Sequence, residues 1–472
     1  MTANKNVSIV WLRNDLRLED NPALHHASQH SETIYPIYIK DASIGAANNV
    51  WLHNSLNALN ASMNDTLSIY SGCPKEIIPH LLKETNATSV FWNRSYDYKS
   101  IERDSHIKSE LKSMNVTVKT FNGSLMWEPW EVLKKDETPY KVFTPYYRRG
   151  CLNAAPPSQP LPTPNLTTFK RTDSSQGIDS LDFIPKIEWH KEIERSWDIS
   201  EKGAHDKLAK FLDHGIHGYK ERRNNPAEAH VSMLSPYLQS GEISPRTVWY
   251  AVQERLATND IPNEDADHFL SELGWREFSY SLIYHFPHLK TVPLQPRFEK
   301  FPWNDNDDHL TAWKKGLTGY PIVDAGMREL WRTGWMHNRV RMIVGSFLVK
   351  HLLLHWHHGE EWFWNCLIDA DYANNSASWQ WIAGCGADAA PYFRIFNPIT
   401  QGEKFDPKGE YIRKYVPELK NLPDKYLNKP WEAPPLILAG AGITLGKDYP
   451  KPIVDHSMAR TRALEAFQAT KT

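Results

Sequence analysis

Nine of the chain's nineteen tryptophans fall between Trp303 and Trp381. A single tryptophan ordinarily means core packing, because the ring buries a large area. So many in one stretch suit three jobs: holding a flat cofactor, receiving an unstacked base, or passing electrons from ring to ring. The same region holds Asp369-Ala-Asp371, followed by Asn374-Asn375 and Trp379-Gln-Trp381. Two carboxylates this close could be a metal pair or a general acid and base. No His or Glu at ligand spacing accompanies them, so no metal is expected. Arg341 is an available partner, which suggests an ion-paired loop around a polar cofactor. Residues 318–351 add five basic side chains (Arg328, Arg332, Arg339, Arg341, Lys350) against two acids, Asp324 and Glu329. Charge alone would fit a solvated helix face. The interleaved Trp331, Trp335 and Met336 favour a surface that meets a polyanion and stacks on bases.

These residues need a scaffold. From Glu201 to the C-terminus the pattern is helical, with apolar residues at three- and four-residue spacings over Glu201–Asp213 and Val340–His355. Before that, β-branched runs alternate with helical patterns. Strands are expected at Val7–Leu12, Thr33–Ile39, Thr66–Tyr70, Ser89–Trp92 and Val116–Phe121. Helices are expected at Pro22–Gln29, Trp51–Met63, Lys75–Glu84 and Ser100–Ser113. Asp20-Asn21-Pro22 supplies a cap and a first-turn proline. The alternation predicts an α/β domain with a parallel, Rossmann-like sheet over residues 1–125. The first strand lacks a following G-x-G-x-x-G, so no dinucleotide site is expected there. The proline-dense run from Ala154 to Pro164 marks an extended connector, and 126–200 is read as an interdomain linker. Residues 201–472 form the all-α C-terminal domain in this reading.

A net charge of −2 excludes a protein that binds nucleic acid through its whole surface; a local patch would have to do so. No apolar run approaches the roughly 20 residues needed to span a bilayer. The run Val7-Ser-Ile-Val-Trp-Leu12 is too short for a signal peptide, so a cytoplasmic protein without a membrane partner is expected. Cys73, Cys151, Cys366 and Cys385 are scattered and are read as free thiols, mostly buried.

The segments Thr318-Gly-Tyr-Pro-Ile-Val-Asp-Ala-Gly-Met327 and Gly334-Trp-Met-His-Asn-Arg-Val-Arg-Met342 resemble the photolyase/cryptochrome family. So do Asp369-Ala-Asp-Tyr-Ala-Asn-Asn-Ser-Ala-Ser-Trp-Gln-Trp381, Asp388-Ala-Ala-Pro-Tyr-Phe-Arg-Ile-Phe-Asn-Pro398 and, near the start, Trp11-Leu-Arg-Asn-Asp-Leu-Arg-Leu-Glu-Asp-Asn21. The likeness covers essentially the whole chain. It implies an antenna-associated α/β domain and a helical domain that binds FAD and DNA, which explains the missing glycine fingerprint.

Single positions carry the subtype. Asn338 matches the dimer-repairing photolyases, where the (6-4) enzymes carry histidine and plant cryptochromes aspartate. Asn375 resembles the asparagine facing flavin N5, where plant cryptochromes again place aspartate. Glu272-Leu-Gly-Trp275 resembles the substrate motif: Glu272 would hydrogen-bond the dimer and Trp275 would stack on it. Trp381 would form the other wall, and Met342 would touch the dimer. Arg223 and Arg339 would contact DNA, together with Trp275 and Trp381. For FAD, Tyr219, Ser232, Leu234 and Ser235 match the phosphate segment. Asn338, Arg341, Asp369, Asp371 and Asn375 match the flavin and adenosine contacts. Trp379, Trp356 and Trp303 match the electron-carrying tryptophan chain. Val231 and Met233 depart from the family's pattern, where many relatives have threonine and a larger polar residue. Backbone N–H groups can still serve the phosphates.

The resemblance therefore implies a lyase that repairs cyclobutane pyrimidine dimers in DNA under blue light, with FAD active in its fully reduced form. The motifs Gly326-Met-Arg-Glu-Leu-Trp331 and Glu-Leu-Gly-Trp look closer to the class III bacterial enzymes than to the enterobacterial type. An antenna is expected, methenyltetrahydrofolate ahead of a deazaflavin. A monomer with no obligate protein partner is expected. Two rivals stand beside this reading. A cryptochrome photoreceptor is opposed by Asn338, Asn375, Glu272 and Trp381, and by the lack of a long tail. A non-photochemical nucleotidyl or electron-transfer enzyme would require the C-terminal motifs to match by accident.

Overall fold

The computed structural model describes residues 6–41, 44–388 and 393–470. Its one sheet among the described residues has five parallel strands in the order β3-β2-β1-β4-β5. They are β1 (Val7–Leu12), β2 (Thr33–Lys40), β3 (Ser68–Ser71), β4 (Ser89–Asn93) and β5 (Thr117–Phe121). Between them run α1 (Pro22–His30), α2 (Ala46–Ser62), α3 (Pro74–Thr85) and α4 (Tyr98–Ser113). The order reverses at β1, as in doubly wound α/β folds. Alternation along the strands fills two cores. Val10 and Leu12 of β1 pack with Leu24, Leu56 and Leu59 on one face. Ile9 and Trp11 pack with Ile78, Leu81, Ile107 and Leu111 on the other. Asn21 caps α1 by accepting from Leu24 N at 3.2 Å, with Pro22 in the first turn. The expected helix at Trp51 begins five residues earlier, behind Gly45.

The motif from Trp11 to Asn21 is a buried polar knot. Arg17 donates to the carbonyls of Asp20, Gly123 and Gly241. Asp20 takes a two-point ion pair from Arg246, at 2.8 and 3.0 Å. Arg17 is met by carbonyl oxygens and Asp20 by a guanidinium, so each of these buried charges is hydrogen-bonded.

By contacts the chain falls into two compact units: Met1–His217 with Ser232–Pro287, and Gly218–Val231 with His288–Thr472. The change to helix near residue 201 is a change of secondary structure within the first unit, which also holds α5 (Glu201–Lys210), α6 (Pro245–Ala257) and α7 (Asn263–His285). Two points of the stretch after residue 125 are pinned to the sheet. Phe169 bridges to Ile34, and Gln176 bridges to Ile69 at the sheet's edge.

The second unit contains α8 (Asp307–Lys315), α9 (Pro321–Thr333), α10 (Asn338–Ser346), α11 (Trp356–Cys366), α12 (Tyr372–Ala383) and α13 (His456–Ala469). The helix expected over Val340–His355 is shorter than its apolar pattern. It widens into a π turn at Phe347–His351 and stops, with Leu353 in the left-handed region at φ 54°. Leu348 to Leu354 are buried throughout, so core packing, not an amphipathic stripe, set the apolar run. The four cysteines are free thiols; Cys73 is exposed and the other three are buried. Among the described residues no helix is long and apolar enough to cross a membrane.

Candidate active site

In the first unit, α7 presents Glu272 and Trp275, both half-buried. Gly274 lets the chain come close: a Cβ there would lie 2.5 Å from Tyr147 Cδ2. The approach seats Trp275 flat on Phe143, with ring centroids 3.8 Å apart and planes 11° apart. One face of the indole is therefore filled, which fixes the ring without spending the other face on packing. Glu277, five residues beyond Glu272, has a different job. It is fully buried, accepts from Met126 N (2.8 Å) and Trp127 N (3.2 Å), and is pushed by burial to about 7. Ser232, Leu234 and Ser235 lead into the short helix Ser235–Ser240, with Ser232 Oγ 3.4 Å from Leu234 N. Met233 sits between them at φ 53°, a turn uncommon for a non-glycine residue.

In the second unit, α10 and α12 carry the polar cluster. Arg341 Nη2 donates to Asp369 Oδ2 at 2.7 Å, and its Nε donates to the Met336 carbonyl at 2.7 Å. The Arg341–Asp369 partnership expected from sequence is thus formed, and the guanidinium is held in one orientation. Asp371 is the cap of α12 and accepts from Asn374 N and Nδ2, each at 2.7 Å. The two aspartates take different partners: Asp369 the Arg341 guanidinium, Asp371 the Asn374 N–H groups. Asn375 Nδ2 donates to the Glu360 carbonyl at 3.0 Å, which fixes the amide's orientation and leaves its oxygen to face the other way. Ser376 Oγ donates to Glu360 Oε1 at 2.5 Å. Burial raises Glu360 to about 7.

His337 caps α10, its Nδ1 accepting from Arg339 N at 3.1 Å. Burial and the surrounding arginines lower it to about 4, so the ring is neutral with its proton on Nε2. Asn338 and Met342 follow at i and i+4, on one face of the helix; Asn338 is exposed and Met342 half-buried. Arg339 is held by Asn224 Oδ1 (2.6 and 3.1 Å) and lies 4.5 Å over Phe405. Arg223 lies 5.1 Å over the buried Tyr219 ring.

The basic excess of 318–351 needs correction. Arg328 pairs with Glu418 at 2.7 Å, Arg341 with Asp369, and Lys350 is buried at 4% exposure. The stretch is not a single cationic face. Part of its charge is spent inside the fold.

Trp379 is buried against Gly359, where a Cβ would meet its ring at 2.1 Å. Its ring contacts are Phe363 at 5.0 Å and Trp313 at 6.3 Å. Trp356 and Trp303 flank one imidazole: His355 is 5.6 Å from Trp356 and 5.0 Å from Trp303. Burial and its histidine neighbours lower His355 to about 4, and its Nδ1 accepts from His357 N at 3.2 Å. Trp381, half-buried, donates from Nε1 to the Asp388 carbonyl at 3.1 Å. Residues 389–392 of the motif that begins at Asp388 lie outside the described residues. Reasoning from sequence missed Phe143, His355, Gly359 and Glu360. Only Gly359 left a mark in the sequence, as a small residue inside an aromatic run.

Two family descriptions match the chain: "DNA photolyase" over residues 8–165 and "FAD binding domain of DNA photolyase" over 269–469. A deoxyribodipyrimidine photo-lyase of Agrobacterium fabrum is 47% identical, covering 98% of both chains. Cryptochrome-2 of Arabidopsis thaliana is 36% identical over 98% of this chain and 79% of its own. A bacterial class III photolyase from Agrobacterium tumefaciens, solved as a crystal structure, superposes with a TM-score of 0.95 at 45% identity, covering 100% of this chain and 99% of that one. With motifs, architecture and full-length likeness in agreement, the chain belongs to the photolyase/cryptochrome family.

Proposed function

We propose that this protein is a deoxyribodipyrimidine photo-lyase that repairs cyclobutane pyrimidine dimers in DNA under blue light. The observation that carries the reading is the likeness, over nearly the whole of both chains, to a deoxyribodipyrimidine photo-lyase at 47% identity, against 36% for a plant cryptochrome.

The donor set fits FAD. A fixed guanidinium–carboxylate pair (Arg341, Asp369), a capping aspartate and an oriented amide (Asn375) offer the mix of donors and acceptors that a polar, flat heterocycle and its hydroxylated chain require. In this reading Asn338, Arg341, Asp369, Asp371 and Asn375 hold the flavin and adenosine, and Tyr219, Ser232, Leu234 and Ser235 hold the phosphates. When bound and reduced, FAD would supply light-driven one-electron chemistry with no net redox change; two cyclobutane C–C bonds part, so the reaction is that of a lyase.

The chain's residues do the rest. A dimer is already poorly paired, so turning it out of the duplex costs less than for an intact base. Trp275, backed by Phe143, and Trp381 stack on it. Glu272 hydrogen-bonds its carbonyl edge and stabilises the charge that develops there. Met342 and Asn338 complete the contact, and Arg223 and Arg339 hold flanking phosphates. Trp379, Trp356 and Trp303 carry electrons to oxidised flavin. Asn375 is a neutral amide, which sets the protein apart from a photoreceptor with a titratable acid at that position.

An antenna, methenyltetrahydrofolate ahead of a deazaflavin, is assigned to the first unit, where the α/β domain of residues 1–125 contributes. Support comes from a crescent of rings: Trp130 lies 6.4 Å from Tyr96 and 5.6 Å from Tyr284, with Arg94 5.7 Å from its centroid and Arg276 4.8 Å over Tyr280. The protein acts as a cytoplasmic monomer in this reading.

The test is repair itself. A dimer-containing oligonucleotide should be restored under blue light by the reduced holoenzyme and left untouched in the dark. A holoenzyme that binds FAD yet restores no dimers in light would sink the reading and leave the photoreceptor. The near-ultraviolet spectrum before and after heat release of bound chromophores identifies the antenna.

A further inference from the structure

The outer two tryptophans of the chain are joined by a group that no step above uses. Among the described residues, His355 is the one ring in contact with both Trp356 and Trp303. It lies 5.6 Å from Trp356 with planes 27° apart, and 5.0 Å from Trp303 with planes 66° apart. A second imidazole also meets Trp356: His357 stands edge-on to it at 3.9 Å. The two histidine rings are themselves 4.6 Å apart. Trp356 is 1% exposed and Trp303 is half-buried. The way from the core indole to the outer one therefore passes a histidine.

The joint is built into the main chain. Leu353 turns through the left-handed region at φ 54°, an uncommon conformation for a bulky residue. Its carbonyl accepts from Asn304 N at 2.7 Å, and Asn304 bridges to Leu354. Trp303 and His355 thus flank one backbone clamp. His355 also caps α11, its Nδ1 accepting from His357 N at 3.2 Å. A nitrogen that accepts is bare, so the ring's proton sits on Nε2 and the ring is uncharged. Burial, with His357 and His358 nearby, lowers His355 to about 4. His357 Nε2 donates to the Lys290 carbonyl at 3.0 Å, which fixes the second ring. His357 is lowered by burial as well; Glu361, His358 and Lys290 are the charged or titratable groups that bear on it.

We propose that His355 is a positioning residue for the outer electron step, its imidazole bridging Trp356 and Trp303 and fixing their separation. This rests on the reading of Trp379, Trp356 and Trp303 as the route to the flavin. In the outer step one electron leaves the Trp303 indole and fills the vacancy on Trp356. Trp303 is oxidised and Trp356 restored; no bond breaks and no proton moves. An external thiolate then gives one electron to Trp303 and becomes a thiyl radical. Electrons pass more readily through packed atoms than through a water-filled gap of the same width, and the imidazole keeps the gap packed. Being neutral, it also sets no positive charge beside a cationic indole, where repulsion would oppose the step. Capping α11 needs only an acceptor atom, whereas bridging needs a ring, so the two roles separate experimentally.

The test uses the FAD-loaded full chain and two variants. His355→Asn keeps a capping acceptor and loses the ring. His355→Phe keeps a ring and loses the acceptor. Both should retain the parent's flavin content and repair at near-parent rate when chemically reduced beforehand. Under blue light with a thiol donor, His355→Asn should photoreduce about tenfold more slowly, the order of loss that a small misplacement brings. His355→Phe should recover most of the parent's rate. Flash absorption gives a second readout. In His355→Asn the tryptophan radical should be short-lived, because the vacancy stays on buried Trp356 and is refilled internally before the thiol reaches it. Trp303→Phe sets the scale and should photoreduce as slowly as His355→Asn. If Trp303→Phe is slow and His355→Asn keeps the parent's rate, the bridge is wrong while the chain stands. If the asparagine and phenylalanine variants are equally slow, His355 acts through its nitrogen and the bridging role falls. If Trp303→Phe keeps the parent's rate, the route does not pass Trp303, and the bridge falls with that reading. Loss of flavin or of pre-reduced repair in both His355 variants would make it a folding residue and overturn the proposal.

Discussion

Glu360 shows how one buried side chain governs a position that sequence could name but not explain. Asn375 was legible as a polar residue four positions before Trp379. The group that orients it was not, because Glu360 lies 15 residues away and acts through its main-chain carbonyl. The carboxyl of the same residue is 4% exposed, accepts from Ser376 and is raised from 4.5 to about 7 by burial. A raised carboxyl means that the fold favours the protonated form. Below pH 4.5 both folded and unfolded chains hold the proton, and there is no penalty. As pH rises from 4.5 to 7 the unfolded chain releases a proton that the folded chain keeps, so stability falls. Above 7 the full penalty remains, at most roughly 3 kcal/mol. Glu360→Gln keeps an acceptor for Ser376 and cannot ionise. Urea midpoints should therefore converge for variant and parent near pH 4.5, with the variant drawing ahead up to pH 7 and holding its lead at pH 8. Parallel curves across that range would mean that Glu360 ionises freely in the fold.

At the scale of elements, strands were the easiest to read and helix ends the hardest. The five strands lie within two residues of their expected positions because alternation and flanking caps mark both edges. The end of α10 was invisible, since Phe347 to Leu354 are buried all round and show no stripe. The contact between α11 and α12 was equally hidden. It depends on Gly359, whose missing side chain is the space that the Trp379 ring fills. The helices cannot part to admit a methyl group without moving Asn375 and Asp371, which sit on the first turn of α12 or cap it. Gly359→Ala should cost about 1–3 kcal/mol by overpacking. It should also lower FAD occupancy after purification. The thermal midpoint and the flavin-to-protein absorbance ratio report the two effects separately. A variant with the parent's values for both would show that Trp379 has room to move.

For the whole molecule, composition bounded the answer without giving it. A net charge of −2 demanded a local basic patch, and the obvious candidate, residues 318–351, proved partly internal. Charge counted along a chain does not reveal which charges are paired, because the partners of Arg328 and Arg341 lie 90 and 28 residues away. The tryptophans pose the same problem. Sequence assigned Trp379, Trp356 and Trp303 by resemblance, and the structure supplies one joint that resemblance did not: His355 lies between Trp356 and Trp303. In the proposed function these rings serve photoreduction only, whereas ring splitting needs reduced flavin and dimer alone. That division can be tested. Trp356→Phe conserves most of the buried volume, so the fold should survive. A phenyl ring is much harder to oxidise than an indole, so hopping should stop at that position. The variant should bind FAD and damaged DNA as the parent does and repair at near-parent rate when chemically reduced beforehand. Under blue light with an external donor it should photoreduce at least tenfold more slowly. Photoreduction at the parent's rate would send the electrons elsewhere, and the exposed Trp331, stacked on Trp362 at 5.7 Å, offers another surface terminus. Collapse of repair in the pre-reduced variant would instead make Trp356 a packing residue, its contacts with His355 and His357 serving the fold and not the current.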